Sequence, residues 1–341
     1  MSEIHGQTNV LSSRFGRGAV KNIGREIGRF VVTTMDIPWR VTKDKLGKTP
    51  EAVYMIDSME QACLDSLADN MPPCDAIVGI GGGQAVDAAK YISWKKNLRL
   101  VTIPTILSVD AFVTEQAGVR RDHQVVYVGK ASPNPLIIDY DVIRTAPTSL
   151  NIAGIGDLLS IHTACFDWRL AAQYGQSEHP FSMDIVNKAR DILTDLFNII
   201  GDVREVSDSG IRALVEGYMK MNTIAMPAGH WRFEEGSEHF IFYELEERLR
   251  RTFIHGHVVG LGIYLMSRLQ DNDYARITQV MNEVGLNYHP IGMHISADDL
   301  RKSLKNCHAF VNERQLWFSI LNVKKIDDSW IDWAIADLEW P

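Results

Sequence analysis

Short apolar runs alternate with helix-spaced segments through the first 147 or so residues. Arg29 to Thr34, Ala52 to Ile56, Asp75 to Ile80, Leu98 to Ile103 and Pro135 to Ile138 read as strands. They are rich in Val and Ile and are nearly continuous rather than alternating, the pattern of strands covered on both faces. Between them, stretches such as Met59 to Leu67 and Gln84 to Lys95 carry the three-to-four spacing of amphipathic helices. That alternation predicts an α/β domain around a parallel sheet, in which ligands sit at the carboxyl ends of the strands. Beyond Pro147 strand signals fade. The segments 181–200, 209–225, 238–252 and 255–270 have helical spacing. The expected fold is therefore α/β: a Rossmann-like parallel-sheet domain over 1–147, an all-α domain over 148–341, and an active site in the cleft between them.

Bulk properties narrow the function classes. A net charge of −8 and a pI near 5.8, with no long basic stripe, argue against nucleic acid as a partner. The four cysteines are scattered with no C-x-x-C pair, so neither a cysteine metal site nor a disulfide framework is expected. Residues 1–10 lack the apolar core of a signal peptide, and no apolar run approaches the ~20 residues needed to span a bilayer. The expectation is a cytoplasmic protein that does not engage membranes.

Three separated stretches carry chemistry. Gly81, Gly82 and Gly83 follow a buried strand and open a helix. Side-chain-free residues let a backbone approach a diphosphate, and a helix N-terminus offers N–H groups to it. The same glycines also suit a tight strand-to-helix turn needed for packing alone, and the turn is not G-x-G-x-x-G because Gln84 stands in the last glycine's place. Asp157 follows Gly156 in a helix-forming stretch, His239 follows Gly236-Ser237-Glu238, and His255 precedes Gly256. One carboxylate and two imidazoles from three helix starts suit zinc or ferrous iron with a coordination position left open. Sixteen positions from 239 to 255 make no compact zinc motif, so spacing alone leaves a structural role open for each histidine.

Gly81-Gly82-Gly83-Gln84-x-x-Asp87-x-x-Lys90 resembles the GGGS-x-x-D-x-x-K turn of the superfamily of iron-containing alcohol dehydrogenase, glycerol dehydrogenase and dehydroquinate synthase. Ile152 to Ser160, Phe166 to Leu170, Gly236-Ser237-Glu238-His239 and Val311 to Leu321 resemble its glycerol-1-phosphate dehydrogenase branch. The resemblance covers nearly the whole chain. It implies a divalent metal, Zn or Fe(II), held by Asp157, His239 and His255, and a nicotinamide cofactor bound through Gly81, Gly82, Gly83 and Asp87. Thr102, Thr105 and Asp110 match the loop near nicotinamide and substrate. Asp36 matches the contact with the adenosine end, where a carboxylate favours a free ribose hydroxyl; NAD is expected, with NADP as the alternative. The implied activity is hydride transfer between a polyol or polyol phosphate and NAD(P). In that scheme Asp110 meets the substrate hydroxyl, His257 is a proton exit, and the enzyme is a homo-oligomer.

The chain also departs from the family. His257 stands where the family has a glutamate, and a proton relay, a substitute metal ligand and a residue packed behind the ligands are the roles open to it. Glu234 and Glu235 stand where the glycerol-phosphate branch has small residues and proline. Either these carboxylates face the pocket and repel a phosphate, with Arg232 as the compensating cation, or they form a solvated helix start. Thr105 to Val113 also resembles the dehydroquinate synthase loop, giving as alternative a carbocycle-forming phosphate lyase that uses NAD transiently. Thr114-Glu115-Gln116 replaces that loop's glycines and lysine, leaving Arg120 and Arg121 as the nearby cations. A catalytically silent relative is the remaining reading, and the presence of all three expected ligands tells against it.

Overall fold

The computed structural model describes residues 8–338; most of the polar N-terminal stretch discussed above lies outside them. The chain divides into two compact units, each described by itself. The first holds residues up to Asn151 together with Glu205–Met226; the second holds Ile152–Arg204 and the chain from Pro227 onward.

The first unit contains strands β1 (Ser13–Gly16), β2 (Phe30–Thr34), β3 (Ala52–Met55), β4 (Ala76–Gly81), β5 (Arg99–Pro104), β6 (Ala117–Arg121), β7 (Gln124–Val128) and β8 (Pro133–Asp139). Six of them form one sheet in the order β1-β8-β5-β4-β2-β3, with every pairing parallel. The five strands read from the sequence are all in it. The central strands β2 and β4 are buried throughout, with the Thr33 and Thr34 hydroxyls of β2 donating to the Ala85 and Ile80 carbonyls, and the edge strands β1 and β3 are partly exposed. Alternate residues face opposite sides: Val32, Val78, Val101 and Ile137 join one core cluster, while Val31, Ile77 and Leu100 join another with Ala89 and Ile92 of the Gly83–Lys96 helix. That helix lies very close on β4. A Cβ at Gly79 would stand 2.9 Å from Ala89 Cβ.

Besides the edge strand β1, two features of this unit are absent from the sequence reading. Strands β6 and β7 form an antiparallel hairpin whose turn residues, Asp122 and His123, have φ of 51° and 67°. Two left-handed residues suit a two-residue hairpin, but Asp-His is not the usual Asn-Gly or Asp-Gly signal. The second is the Asp208–Ala228 helix, expected in the α-domain, whose residues up to Met226 group with the sheet unit. Its buried Asn222 explains why: the side-chain oxygen accepts from the Asn9 amide at 2.7 Å and the amide nitrogen donates to the Val113 carbonyl at 3.3 Å.

Every regular element of the second unit is helical among the described residues. The His255–Gln270 helix is buried on almost all sides and is its central post, an unusual placement that needs an apolar surface all round. The Ser237–Leu249 helix packs along it at very short range, since a Cβ on Gly262 would come within 2.3 Å of the Glu238 carbonyl oxygen.

Candidate active site

The metal-ligand candidates all belong to the second unit, and backbone contact between glycines brings them together. The short Ile155–Leu159 helix meets the start of the His255–Gln270 helix through Gly156 and Gly256. A Cβ on Gly156 would lie 2.5 Å from the Gly256 carbonyl oxygen, and one on Gly256 would lie 1.7 Å from the Ala153 carbonyl oxygen. No side chain fits there. The residues next along the chain, Asp157 and His255, are thereby side by side, with Asp157 Oδ1 at 3.2 Å from His255 Nε2. His239 sits in the first turn of the Ser237–Leu249 helix, and its ring centroid is 5.2 Å from that of His255. One donor atom from each of Asp157, His239 and His255 lies within 4.8 Å of the others.

The surroundings suit a cation. His239 Nδ1 is 2.9 Å from Glu238 Oε1, which also accepts the Gly236 amide at 2.6 Å. A carboxylate on Nδ1 fixes the tautomer and leaves Nε2 for a metal. Burial opposes charge on the His239 ring, but Glu234 and Glu238 outweigh it and hold the imidazole pKa up to about 10. Positive charge is therefore favoured at this point, and the donor set fits zinc or ferrous iron. Phe242 closes on His255 edge-to-face, with centroids 4.5 Å apart.

His257 is buried, but it is two positions after His255 on the same helix. The clustered donors are Asp157, His239 and His255, without His257. At 231–235 the structure turns Glu234 inward, toward His239. Glu234 is buried rather than a solvated helix start, and its Oε1 is 3.7 Å from His239 Nε2. Arg232 is fully buried too. Its guanidinium donates to the Glu235 and Phe318 carbonyls and lies over the Trp317 ring, 5.5 Å from its centroid, so it is turned into the protein interior rather than toward an anion. The sequence reading gave Glu238 no role of its own and weighed Glu234 only as a pocket-facing or a solvated acid. The Glu-His adjacency was the available signal for the first; for the second, nothing in the neighbouring sequence says that Glu234 is buried while Glu235 is only partly so.

The cofactor candidates belong to the first unit, at the carboxyl ends of the adjacent strands β2, β4 and β5. The helix after β4 starts at Gly83, and no side chain caps its first turn, leaving the turn suited to an anion. Gly82 and Gly83 are partly exposed. The packing role is also real: Gly81 has φ of 152° and a Cβ there would meet Ala85, while one on Gly82 would stand 2.7 Å from Ile106. Thr105 locks this arrangement by donating its amide to the Gly81 carbonyl at 3.0 Å. Asp36 opens the helix after β2, is exposed, and pairs with Arg40 at 2.7 Å. Asp87 pairs with the buried Lys90 at 2.7 Å, and burial pushes its carboxyl pKa up against the pull of that lysine. Thr102 is completely buried in β5. Asp110 lies in the loop after β5, half-buried.

Comparison with known proteins places this geometry. The family model for iron-containing alcohol dehydrogenase matches residues 40–147. A glycerol-1-phosphate dehydrogenase (NAD(P)+) from Hyperthermus butylicus is 30% identical over 269 residues, covering 76% of this chain and 72% of the relative. The chain belongs to the iron-containing alcohol dehydrogenase family. A second glycerol-1-phosphate dehydrogenase (NAD(P)+), from Aeropyrum pernix, is 29% identical over 254 residues, covering 73% of this chain and 69% of the relative. Among solved structures, a probable glycerol dehydrogenase from Sinorhizobium meliloti 1021 shares the fold, with a TM-score of 0.70 at 19% identity over 97% of this chain and 96% of that one. The family's architecture, a Rossmann-like domain with an α-domain, is the one expected from the strand and helix pattern. No helix among the described residues is long and apolar enough to cross a membrane.

Proposed function

We propose that this family member is a metal-dependent, NAD(P)-linked dehydrogenase of a polyol or polyol phosphate, of the glycerol-1-phosphate dehydrogenase kind. The observation that carries the reading is the convergence of Asp157, His239 and His255 donors within 4.8 Å, in a chain similar to enzymes of that name. A bound divalent ion supplies Lewis-acid polarisation of a substrate oxygen, and a nicotinamide supplies or accepts the hydride.

The chain's own residues do the rest. Asp157 contributes the one negative charge of the three-ligand set, and Glu238 holds His239 so that Nε2 faces the other donors. The turn at Gly81, Gly82 and Gly83 orients a pyrophosphate against the uncapped helix start, while Asp87 and Thr105 fix the turn's shape. Asp36 favours an unmodified ribose and hence NAD. Asp110 contacts the substrate hydroxyl and His257 passes a proton outward. The protein works as a cytoplasmic homo-oligomer on a small molecule, without nucleic acid or membrane as partner, in keeping with its acidic charge.

The test is NADH and NADPH oxidation by metal-loaded protein, with dihydroxyacetone phosphate, dihydroxyacetone and simple aldehydes as acceptors. Stoichiometric nicotinamide oxidation with one of them is the expected result. Bound metal and cofactor with no turnover of any carbonyl would overturn the assignment. His255→Ala should lose both metal and activity while keeping its helical circular dichroism.

A further inference from the structure

Asp167 sits in the Ile161–Gln173 helix and takes no part in the donor cluster, yet it reaches the start of the helix that carries His239. Its Oδ2 accepts the Ser237 amide at 2.8 Å, and its Oδ1 accepts the Ile320 amide, also at 2.8 Å. The side chain is completely buried. Burial, and then the nearby Glu238 carboxylate, push its pKa up to about 6, so it is ionised at neutral pH. A buried carboxylate is tolerated where charge-assisted hydrogen bonds answer it, and here two main-chain amides do so.

The consequence falls on Glu238. At this helix start two consecutive amides are each taken by a different carboxylate: Glu238 Oε1 accepts from Gly236 at 2.6 Å, and Asp167 accepts from Ser237. The same Glu238 oxygen is 2.9 Å from His239 Nδ1. Its other oxygen, Oε2, is buried with no hydrogen-bond partner among the described residues. Gly236 lies between the two acids, since a Cβ there would stand 3.0 Å from Asp167 Oδ2 and 3.1 Å from Glu238 Oε2. A freed Ser237 amide would thus be a donor close to a carboxylate oxygen that lacks one. Unmade buried hydrogen bonds cost free energy on both sides, so Glu238 would be drawn round toward that amide and off His239 Nδ1.

We propose that Asp167 is a positioning residue for His239: by holding the Ser237 amide it fixes the first turn of the Ser237–Leu249 helix and keeps Glu238 on Nδ1. The inference rests on the proposed function, because it takes His239 as a metal ligand. With Nδ1 held, Nε2 is aimed at the ion; with Nδ1 released, the imidazole turns and the ion loses a fixed donor. The Ile320 arm ties the same carboxylate to the Ile320–Val323 turn, so Asp167 cannot drift with Ser237 without pulling on a second segment. Cys165 supplies the comparison. On the same helix, its thiol donates to the Phe233 carbonyl at 3.3 Å and so holds the 231–235 turn without engaging the Ser237 amide.

The experiment titrates metal-free full-length protein with zinc against a chromophoric chelator, for the wild type, Asp167→Ala, Asp167→Asn and Cys165→Ala. Thermal unfolding of each metal-free protein shows first that it is folded. Asp167→Ala should bind zinc at least about tenfold more weakly than wild type, the lower end of the loss for a group that orients a metal ligand. The visible spectrum of its cobalt-loaded form should also differ from wild type, because His239 has turned. Cys165→Ala should keep both affinity and spectrum, whatever it does to the melting temperature. A loss below about tenfold in Asp167→Ala, an unchanged cobalt spectrum, or an equal loss in Cys165→Ala would overturn the proposal. The last would do so because any loosening of the turn would then suffice. If Asp167→Ala is unfolded without metal, Asp167→Asn is read by the same limits, since it keeps the shape but cannot accept from both amides. If wild-type protein takes up no stoichiometric zinc, the proposed function falls together with this inference; wild-type uptake with Asp167→Ala unchanged sinks Asp167 alone.

Discussion

Replacing Gly256 by alanine should uncouple the candidate metal centre without touching a ligand. The new Cβ would stand 1.7 Å from the Ala153 carbonyl oxygen, whereas ordinary contacts begin near 3.4 Å, so the two backbones must part by about 1.7 Å (3.4 − 1.7). Both sides of this contact are main chain, so no flexible side chain can yield. Overpacking of that kind costs about 3 kcal/mol or more. At roughly 2–4 °C per kcal/mol for domains of this size, the metal-free protein should melt roughly 6–12 °C lower. The same displacement widens the 3.2 Å Asp157–His255 pair beyond the spacing of two donors on one ion. Zinc-dependent stabilisation, about 4 kcal/mol when zinc is at a thousand times its Kd, should shrink or vanish. Differential scanning calorimetry with and without zinc measures both effects. Gly201→Ala is the control: nothing lies within 4 Å of its Cβ, and alanine within a helix gains about 0.5–1 kcal/mol over glycine. A Gly256→Ala protein that melts with wild type and keeps its zinc shift would refute the packing argument.

Lys90→Met should destabilise the protein by about 3 kcal/mol, because it removes the nearest cation of a buried pair and leaves Asp87 only the Gly118 amide and Arg120; chemical denaturation reads this directly. The His230 pKa falls to about 4, first through burial and then through His179 and Arg232, so its contribution to stability is present above the unfolded value of 6.5 and is lost as pH falls through about 4. Unfolding midpoints measured from pH 7 to pH 4 should therefore decline less steeply in His230→Phe than in wild type, and parallel curves would contradict the assignment. Asp36→Asn should improve NADPH use relative to NADH by about tenfold, since a carboxylate and a 2′-phosphate a few ångströms apart repel by about 1–4 kcal/mol. An unchanged cofactor ratio would remove Asp36 from the adenosine end.

The sequence by itself determined the parallel sheet, because strands covered on both faces must be apolar without interruption, and β2, β4 and β5 declare this in Phe30 to Val32, Ala76 to Ile80 and Leu100 to Ile103. Through their spacing it determined the second-unit helices within 181–200, 238–252 and 255–270, though not those at 161–173, 274–284, 297–313 and 328–337, and it singled out the residue types able to hold a cation, Asp157, His239 and His255. Tertiary structure decided what no local pattern carries. Asp122 and His123 turn a hairpin with left-handed backbones that only the pairing of β6 with β7 sustains. Asn222 attaches its helix to the sheet unit through partners more than a hundred residues away. Gly156 against Gly256 converts two distant motifs into one donor pair, and burial turns Glu234 from a plausible surface acid into a neighbour of His239. Periodicity is a property of neighbours along the chain, so it fixes elements. A site is a property of backbones that approach one another in space, and a glycine or a buried carboxylate acquires its meaning only from what the fold sets against it.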